Sequence, residues 1–271
     1  MTAGPQRESH TRNEARSWLG LAKRAAALGV ETLRTEGSGG RKVLRSDVRD
    51  VKLVADAVLD RAIVRLLRRE SRFAILSEES GTTDLPSSLV GYRWIVDPLD
   101  GSLNHSRQIP FSAISVGLWH GETPVLGAIH DPVRREVFSG IVGVGAWLNG
   151  QSITTSTVRR RGQAVICTGF PIATDFRTDA LSDFVRRIRT FKKVRLLGSA
   201  ALSLAYVASG RADAYFESQI KIWDVAAGLA VVAAAGGACV AQPGRHALTR
   251  TVSATNGRLR PWRSSRPSES P

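Results

Sequence analysis

The sequence predicts a mixed α/β fold of the α+β kind, with helices and sheets in packed layers. Three observations predict it. Two amphipathic stretches, Glu14 to Glu36 and Val51 to Arg69, lie in the first quarter of the chain. Alternating apolar strands follow at Ser112–Trp119, Val125–His130 and Arg135–Ser139, with Gly121 and Asp131-Pro132 as turns, and read as an antiparallel sheet. From about Ser152 the rhythm becomes strand, helix, strand, which places an α/β layer against that sheet.

Composition sets the outer limits. A chain of 271 residues suits one large domain or two small ones and can bury a sizeable core. Residues 1–13 and 258–271 read as disordered ends, the second one basic; the folded part divides into halves, 14–150 and 151–257. Cys167 and Cys239 lack C-x-x-C spacing and sit in apolar contexts, so both read as small core residues of a reducing compartment. The first residues are polar, without the pattern of a signal peptide. The longest apolar stretch, Val225 to Ala235, is too short to cross a bilayer; a cytoplasmic protein without membrane contact is expected. The net charge of +14 raises nucleic acid as a partner. The arginines are dispersed, however, and no nucleic-acid motif is present, so the charge reads as a surface that draws in anionic substrates.

Taken in order, the first helix buries Ala15, Trp18, Leu19, Ala22, Ala26 and Leu33, and Gly37-Ser38-Gly39-Gly40 ends it. In the loop beyond, Lys42 or Arg45 either brings a cation to a ligand or is simply solvated. The second helix carries an apolar stripe through Val51, Val54, Ala55, Val58, Ala62 and Leu66, with Asp56 and Asp60 four apart on one flank. Phe73 to Leu76 reads as a strand that delivers Ser77-Glu78-Glu79-Ser80 to an edge. Adjacent glutamates on a strand point to opposite faces, so both are not expected to serve one ion equally. Gly143 to Gly150 is a glycine-rich hairpin and not a phosphate loop, since no Lys-Ser/Thr follows. Five histidines show no metal-ligand spacing, and His105 reads as packing or pocket wall. In the second half, strands are expected at Val165–Thr168, Val194–Leu197 and Ala212–Phe216, the last ending at Glu217. Helices are expected at Asp179–Arg189, at Ala201–Ser209 with Ser199 as N-cap, and at Trp223–Gly236 beginning at Asp224.

The chemistry centres on Tyr92 to Asn104. The apolar run Trp94-Ile95-Val96 stops at two carboxylates, Asp97 and Asp100, around Pro98. Two carboxylates three apart at a strand end make a poor core and a good cradle for a hard cation such as Mg²⁺. Gly101 lets the backbone approach a ligand, and a helix beginning near Ser102 would aim free N–H groups at a phosphate. Read from the residues alone, Asp224 is an acid that complements a helix dipole, Asp56 an exposed helix acid and Glu217 a surface acid at a strand end.

Three stretches in this order, LSEES at Leu76–Ser80, the turn DPLDGSLN at Asp97–Asn104, and IWDVAAG at Ile222–Gly228, resemble the inositol monophosphatase family of Mg²⁺-dependent, lithium-sensitive phosphatases. The hairpin GVGAWLNG at Gly143–Gly150 is similar too, and the likeness runs from about Val43 to about Asn256. It implies a layered αβαβα sandwich of the inositol monophosphatase and sugar phosphatase type, usually a homodimer. In that reading 14–150 is the metal-binding half and 151–257 completes the active site. The resemblance implies two to three Mg²⁺ ions: one held by Glu78, Asp97 and the Leu99 carbonyl, a second by Asp97, Asp100 and Asp224, and a weaker third helped by Glu78. It places the attacking water near Glu78 and Ser102, with Asp56 in support, and gives the phosphate to the Gly101 and Ser102 amides. Substrate contacts fall to Asp100, the Ala200 backbone, Glu217 and Asp224. The chain departs from the family pattern at Leu53, where a threonine is usual, at Asp60, where a glutamate is usual, and at Ser102, where threonine is usual but the hydroxyl is kept.

Metal ions suit the difficulty of the reaction. Phosphate monoester hydrolysis requires roughly 10²¹-fold acceleration, about 28 kcal/mol, while general acid–base catalysis supplies roughly 10²–10⁴. Glu217 leans the substrate toward inositol monophosphate or a related cyclitol or sugar phosphate. Alternatives within the superfamily are histidinol phosphate, fructose 1,6-bisphosphate and 3′(2′),5′-bisphosphate nucleotides. From another class, the alternative is a protein that keeps the fold to bind RNA or a transcription complex.

Overall fold

The computed structural model describes residues 5–46, 51–83, 91–171 and 174–262. Its elements follow one another from a helical layer into a large sheet and then into a second α/β layer. The first helix, α1 (Pro5–Gly40), breaks at Gly37, whose φ of 52° and ψ of −132° are not helical. A hairpin of β1 (Val43–Ser46) and β2 (Val51–Leu53) leads into α2 (Val54–Glu70). Both helices lay their apolar stripes on the sheet: Ala22, Val30, Leu59 and Ile63 form one core with Trp94, Val96, Ile114 and Leu118.

The sheet is assembled from β3 (Ala74–Ser77), β4 (Gly81–Thr83), β5 (Tyr92–Asp100), β6 (Ala113–His120), β7 (Thr123–Asp131), β8 (Glu136–Ile141), β9 (Gly145–Leu148) and β10 (Gln151–Ile153). A five-residue helix, α3 (Ser102–Ser106), interrupts the series after β5. The strand order is β10-β9-β8-β7-β6-β5-β3-β4, antiparallel throughout except for the parallel pair β3–β5. The expected antiparallel sheet is therefore present, with β5 and β6 buried on both faces, which is why they read as nearly continuous apolar runs.

Beyond residue 153 come β11 (Val165–Thr168), α4 (Thr178–Ile188), β12 (Lys193–Arg195), α5 (Ala200–Ala208), β13 (Ala214–Lys221), α6 (Ile222–Ala234), β14 (Ala238–Pro243) and β15 (Thr249–Thr255). They form a five-stranded sheet of order β12-β11-β13-β15-β14. Helices α5 and α6 lie between the two sheets, where Leu204, Val225 and Leu229 share a core with Ile95 and Phe138 on one side and Tyr215 and Val252 on the other. On the outer face of the second sheet Arg187 of α4 stacks over Phe216, which completes the αβαβα order of layers. The helix α6 comes unusually close to the large sheet. Gly117, Gly127 and Gly140 are register partners across β6, β7 and β8. A Cβ on Gly127 would lie 2.8 Å from Ala227 Cα, and one on Gly140 2.7 Å from Ala234 Cβ, so this glycine row is the seat of the helix.

Several sequence expectations are corrected. The segment 5–13, expected to be disordered, belongs to α1; no glycine or proline interrupts the chain between Pro5 and Gly20, so nothing stops the helix there. Residues 1–4 lie outside the described residues. The second helix starts at Val54 and not Val51, because Val51–Leu53 pairs with β1 and Leu53 stays extended, its N–H donating to Asp56 Oδ2 at 2.7 Å. The strand expected at Val194–Leu197 is Lys193–Arg195. The tail expected to be disordered from Arg258 is folded as far as Trp262. Leu259 is buried, and the Trp262 ring packs against Phe191 and Phe216 beneath the Arg161 guanidinium. Residues 263–271 lie outside the described residues. Cys167 and Cys239 are free, and burial pushes both thiols up to about 12, as inert core residues.

Candidate active site

Three separated stretches of chain deliver carboxylates to one point. Glu78 follows β3, and its N–H donates to the Val96 carbonyl of β5 at 3.2 Å, the next step of the parallel ladder. Asp97 is the neighbour of that carbonyl on β5. Asp224 lies in the first turn of α6, pressed onto the glycine row. Each offers a carboxylate oxygen within 4.8 Å of the other two. Asp97 is buried, and its Oδ1 accepts the Leu99 N–H at 3.0 Å.

The second half of the turn is built differently. β5 carries a bulge between Asp97 and Asp100, and this turns Asp100 toward the second α/β layer. There Asp100 Oδ2 accepts the Ser199 hydroxyl and the Ala201 N–H, the latter at 2.7 Å, so it caps the start of α5. Asp100 is thus outside the set of three that share one point, and joins the two halves of the chain. Asn104 does the same: its Nδ2 donates to the carbonyls of Phe111 and Leu197, both at 2.8 Å. Gly101 has φ 86°, the left-handed region, and an added Cβ would lie 2.9 Å from the Phe111 carbonyl, so the turn requires glycine on both counts. Ser102 begins α3 with its hydroxyl 2.8 Å from the Leu99 carbonyl and 3.0 Å from Asp56 Oδ1.

The surroundings explain the charge states. Burial, then the charge of Glu78, pushes the carboxyls of Asp97 and Asp224 well above the usual range. Burial raises Asp100 to about 6 against the pull of its Ser199 and α5 hydrogen bonds. It raises Asp56 to about 7 against those of Leu53 and Ser102. Glu217, buried on β13 with the Asp100 charge nearby, is pushed up to about 8. A Cβ on Gly169 would lie 2.7 Å from Glu217 Oε1, so the glycine makes room for this carboxyl. Glu217 also lines a cavity of about 320 Å³ walled by Phe170, Phe184, Phe216 and Arg187. Crowded like charges in a poorly solvated site are what a hard divalent cation neutralises, and the donor set is all oxygen; the residues present therefore fit Mg²⁺.

Around these acids lie Lys52, which the sequence reading did not single out, and Glu79, Asp60 and His105, which it did. Lys52, on β2, donates to Glu78 Oε1 at 2.6 Å and also to Glu79 Oε1. Burial alone would lower the pKa of this ammonium, but the two glutamates outweigh it and push it up. The signal was a lysine inside the apolar run Val51-Lys52-Leu53-Val54, immediately ahead of a helix. Glu78 and Glu79, expected to diverge, converge on this one amine, because β3 ends at Ser77 and the alternation of a strand no longer applies. Asp60, a departure from the family pattern, is buried and accepts the Ser77 hydroxyl beside Glu78. His105 is half-buried, and burial followed by the charge of Arg41 holds its imidazole below the usual value.

A sequence model of the inositol monophosphatase family matches residues 14–266. The chain is 37% identical over 197 residues to the Nus factor SuhB of Xylella fastidiosa, which covers 72% of this chain and 70% of that protein. It is 32% identical over 255 residues to the inositol-1-monophosphatase of Synechocystis, covering 91% of this chain and 87% of that one. The inositol monophosphatase structure from Anabaena superposes with a TM-score of 0.76 at 30% identity, over 90% of this chain and 92% of the other. Among the described residues, no helix is long and apolar enough to cross a membrane.

Proposed function

The chain belongs to the inositol monophosphatase family, and from that premise we propose that it is a cytoplasmic, homodimeric, Mg²⁺-dependent phosphomonoesterase acting on inositol monophosphate or a related cyclitol or sugar phosphate. The observation that carries the reading is the meeting of Glu78, Asp97 and Asp224 within 4.8 Å from three distant motifs, beside the left-handed Gly101 turn. Glu78, Asp97, Asp224, the Leu99 carbonyl and Asp100 would hold two to three ions between them. When bound, such ions activate water and stabilise the charge of an in-line displacement.

The chain's own groups do the rest. The Gly101 and Ser102 N–H groups would hold the phosphoryl oxygens. The Ser102 hydroxyl, fixed between the Leu99 carbonyl and Asp56, would orient the attacking water beside Glu78. Asp56, buried and also accepting the Leu53 N–H, holds that hydroxyl in place. Glu217 and the α5 start around Ala200 would meet the hydroxyls of the substrate, with Asp100 tied to the same helix start.

A second reading is favoured by the net charge of +14 and by the SuhB relative named as a Nus factor: a protein that engages RNA or a transcription complex. Phosphate release separates the two. The panel is myo-inositol 1-phosphate, fructose 1,6-bisphosphate, histidinol phosphate and 3′-phosphoadenosine 5′-phosphate, each with Mg²⁺, with EDTA and with Li⁺. Mg²⁺-dependent, Li⁺-inhibited turnover of the inositol phosphate is expected. Absence of turnover on every substrate, together with RNA binding that weakens steeply with salt, would favour the second reading.

A further inference from the structure

The carboxylate cluster already contains a cation of its own. Lys52 Nζ lies 2.6 Å from Glu78 Oε1 and is bonded to Glu79 as well, and Glu78 is one of the three acids whose oxygens meet within 4.8 Å. The three side chains Lys52, Glu78 and Glu79 are 25%, 23% and 19% exposed, so the amine sits on the solvent side of the cluster but not free in water. The ammonium is a compact point charge with three donors, so it can satisfy two carboxylates at once as an ion would. It is delivered by the short β1–β2 hairpin, and the next residue, Leu53, is fully buried and tied by its N–H to Asp56. The backbone at Lys52 is therefore held while the side chain reaches the glutamates. An ammonium and a divalent ion at the same glutamate edge repel each other, and a site partly screened from water damps that repulsion less than bulk water does.

Resting on the metal reading above, we propose that the Lys52 ammonium takes the seat of one divalent ion at the Glu78–Glu79 edge of the cluster, so that the native chain binds one ion fewer than the acidic residues alone would hold. Counting ions tests it without reference to turnover. Mn²⁺ titrated into the full chain, with the free ion followed by electron paramagnetic resonance, gives the number bound per chain. Lys52→Met, which keeps the length and removes the charge, is expected to bind one more Mn²⁺ per chain than the native protein. Lys52→Arg, which keeps the charge, is expected to match the native count. Lys52→Gln carries the same expectation as the methionine variant and serves if that variant folds poorly. Equal counts for the native and the uncharged variants, even with tighter binding in the variants, would overturn the proposal, since the amine would then merely swing aside. Failure of every form to bind Mn²⁺ would overturn the metal reading itself, and the proposal with it.

Discussion

Asp97 is the most buried of the three clustered acids. It is buried at a strand bulge, one oxygen takes the Leu99 N–H, and the charges of Glu78, Asp100 and Asp224 bear on it. Asp97→Asn preserves the shape and that acceptor while removing the charge. Phosphatase activity should fall by far more than ten-fold, each decade being about 1.4 kcal/mol, while the protein still folds. Because burial disfavours the native charge, the variant should also melt no lower than the wild type in EDTA at pH 8. Activity above about a tenth of wild type at saturating Mg²⁺ would refute the ligand role. Glu217 tests the other end of the site. Glu217→Gln should raise KM for a polyol phosphate several-fold and change kcat less, as read from steady-state kinetics, if the carboxyl meets substrate hydroxyls. Glu78 and Asp224 were read as ligands through the family resemblance; from the residues themselves only the Asp97–Asp100 pair, standing where an apolar run stops, was legible as a cation cradle. Lys52 was not, because a lysine ahead of a helix is ordinary until the fold brings β2 against the turn after β3. The Asp100 cap on α5 was also hidden: its partners Ser199 and Ala201 lie about a hundred residues away, and periodicity carries no information at that range.

Secondary structure follows the same division between local and distant causes. Strands β6 to β8 and helices α4 to α6 were readable from alternation and caps. Strands β14 and β15 were not singled out, and they exist by pairing with each other and with β13. The start of α2 was misplaced because Val51 fits a helical stripe as well as a strand, and only the partner strand β1 decides between them. The placement of Asp224 depends on a feature with no acidic residue in it, the glycine row under α6. Gly127→Ala forces a methyl into the Ala227 backbone and should lower stability by about 1–3 kcal/mol or more in urea denaturation. The damage should reach the site as well, since α6 carries Asp224, so Mn²⁺ affinity should weaken even where the variant remains folded. Gly162→Ala, with nothing within 4 Å of the added carbon, should stay within about 0.5 kcal/mol of wild type and leave Mn²⁺ binding unchanged. Equal effects from the two substitutions would mean that close approach of α6 does not position the ligand.

At the scale of the whole molecule, a strongly basic chain surrounds a buried acidic centre, and the two respond to pH in different windows. Burial raises Asp56 to about 7 and Glu217 to about 8, and holds Asp97 and Asp224 well above their usual values. In the unfolded chain these carboxyls titrate near 4, so between about pH 4 and 8 the native state binds more protons than the unfolded state. Stability must therefore fall as pH rises through that window, by about 1.4 kcal/mol per pH unit for each proton of difference. Two histidines oppose this. Burial lowers the pKa of His105 and His130, so their contribution grows with pH, but it is complete by about pH 6.5, the unfolded value. From pH 6.5 to 8 the carboxyls act alone among these groups. In EDTA the melting temperature should drop across that interval, by something of the order of 5 °C. A divalent ion binds the deprotonated carboxylates and releases their protons, so saturating Mg²⁺ should flatten the drop, and the Mg²⁺-induced rise in Tm should be larger at pH 8 than at pH 6.5. Scanning fluorimetry at constant ionic strength reads both, with Ca²⁺ and Na⁺ at matched ionic strength as controls for screening. A Tm in EDTA that is flat or rising from pH 6.5 to 8 would show that the acids are not held protonated by burial. A Mg²⁺ shift independent of pH, or matched by Na⁺, would show that the cluster is not where the ion binds.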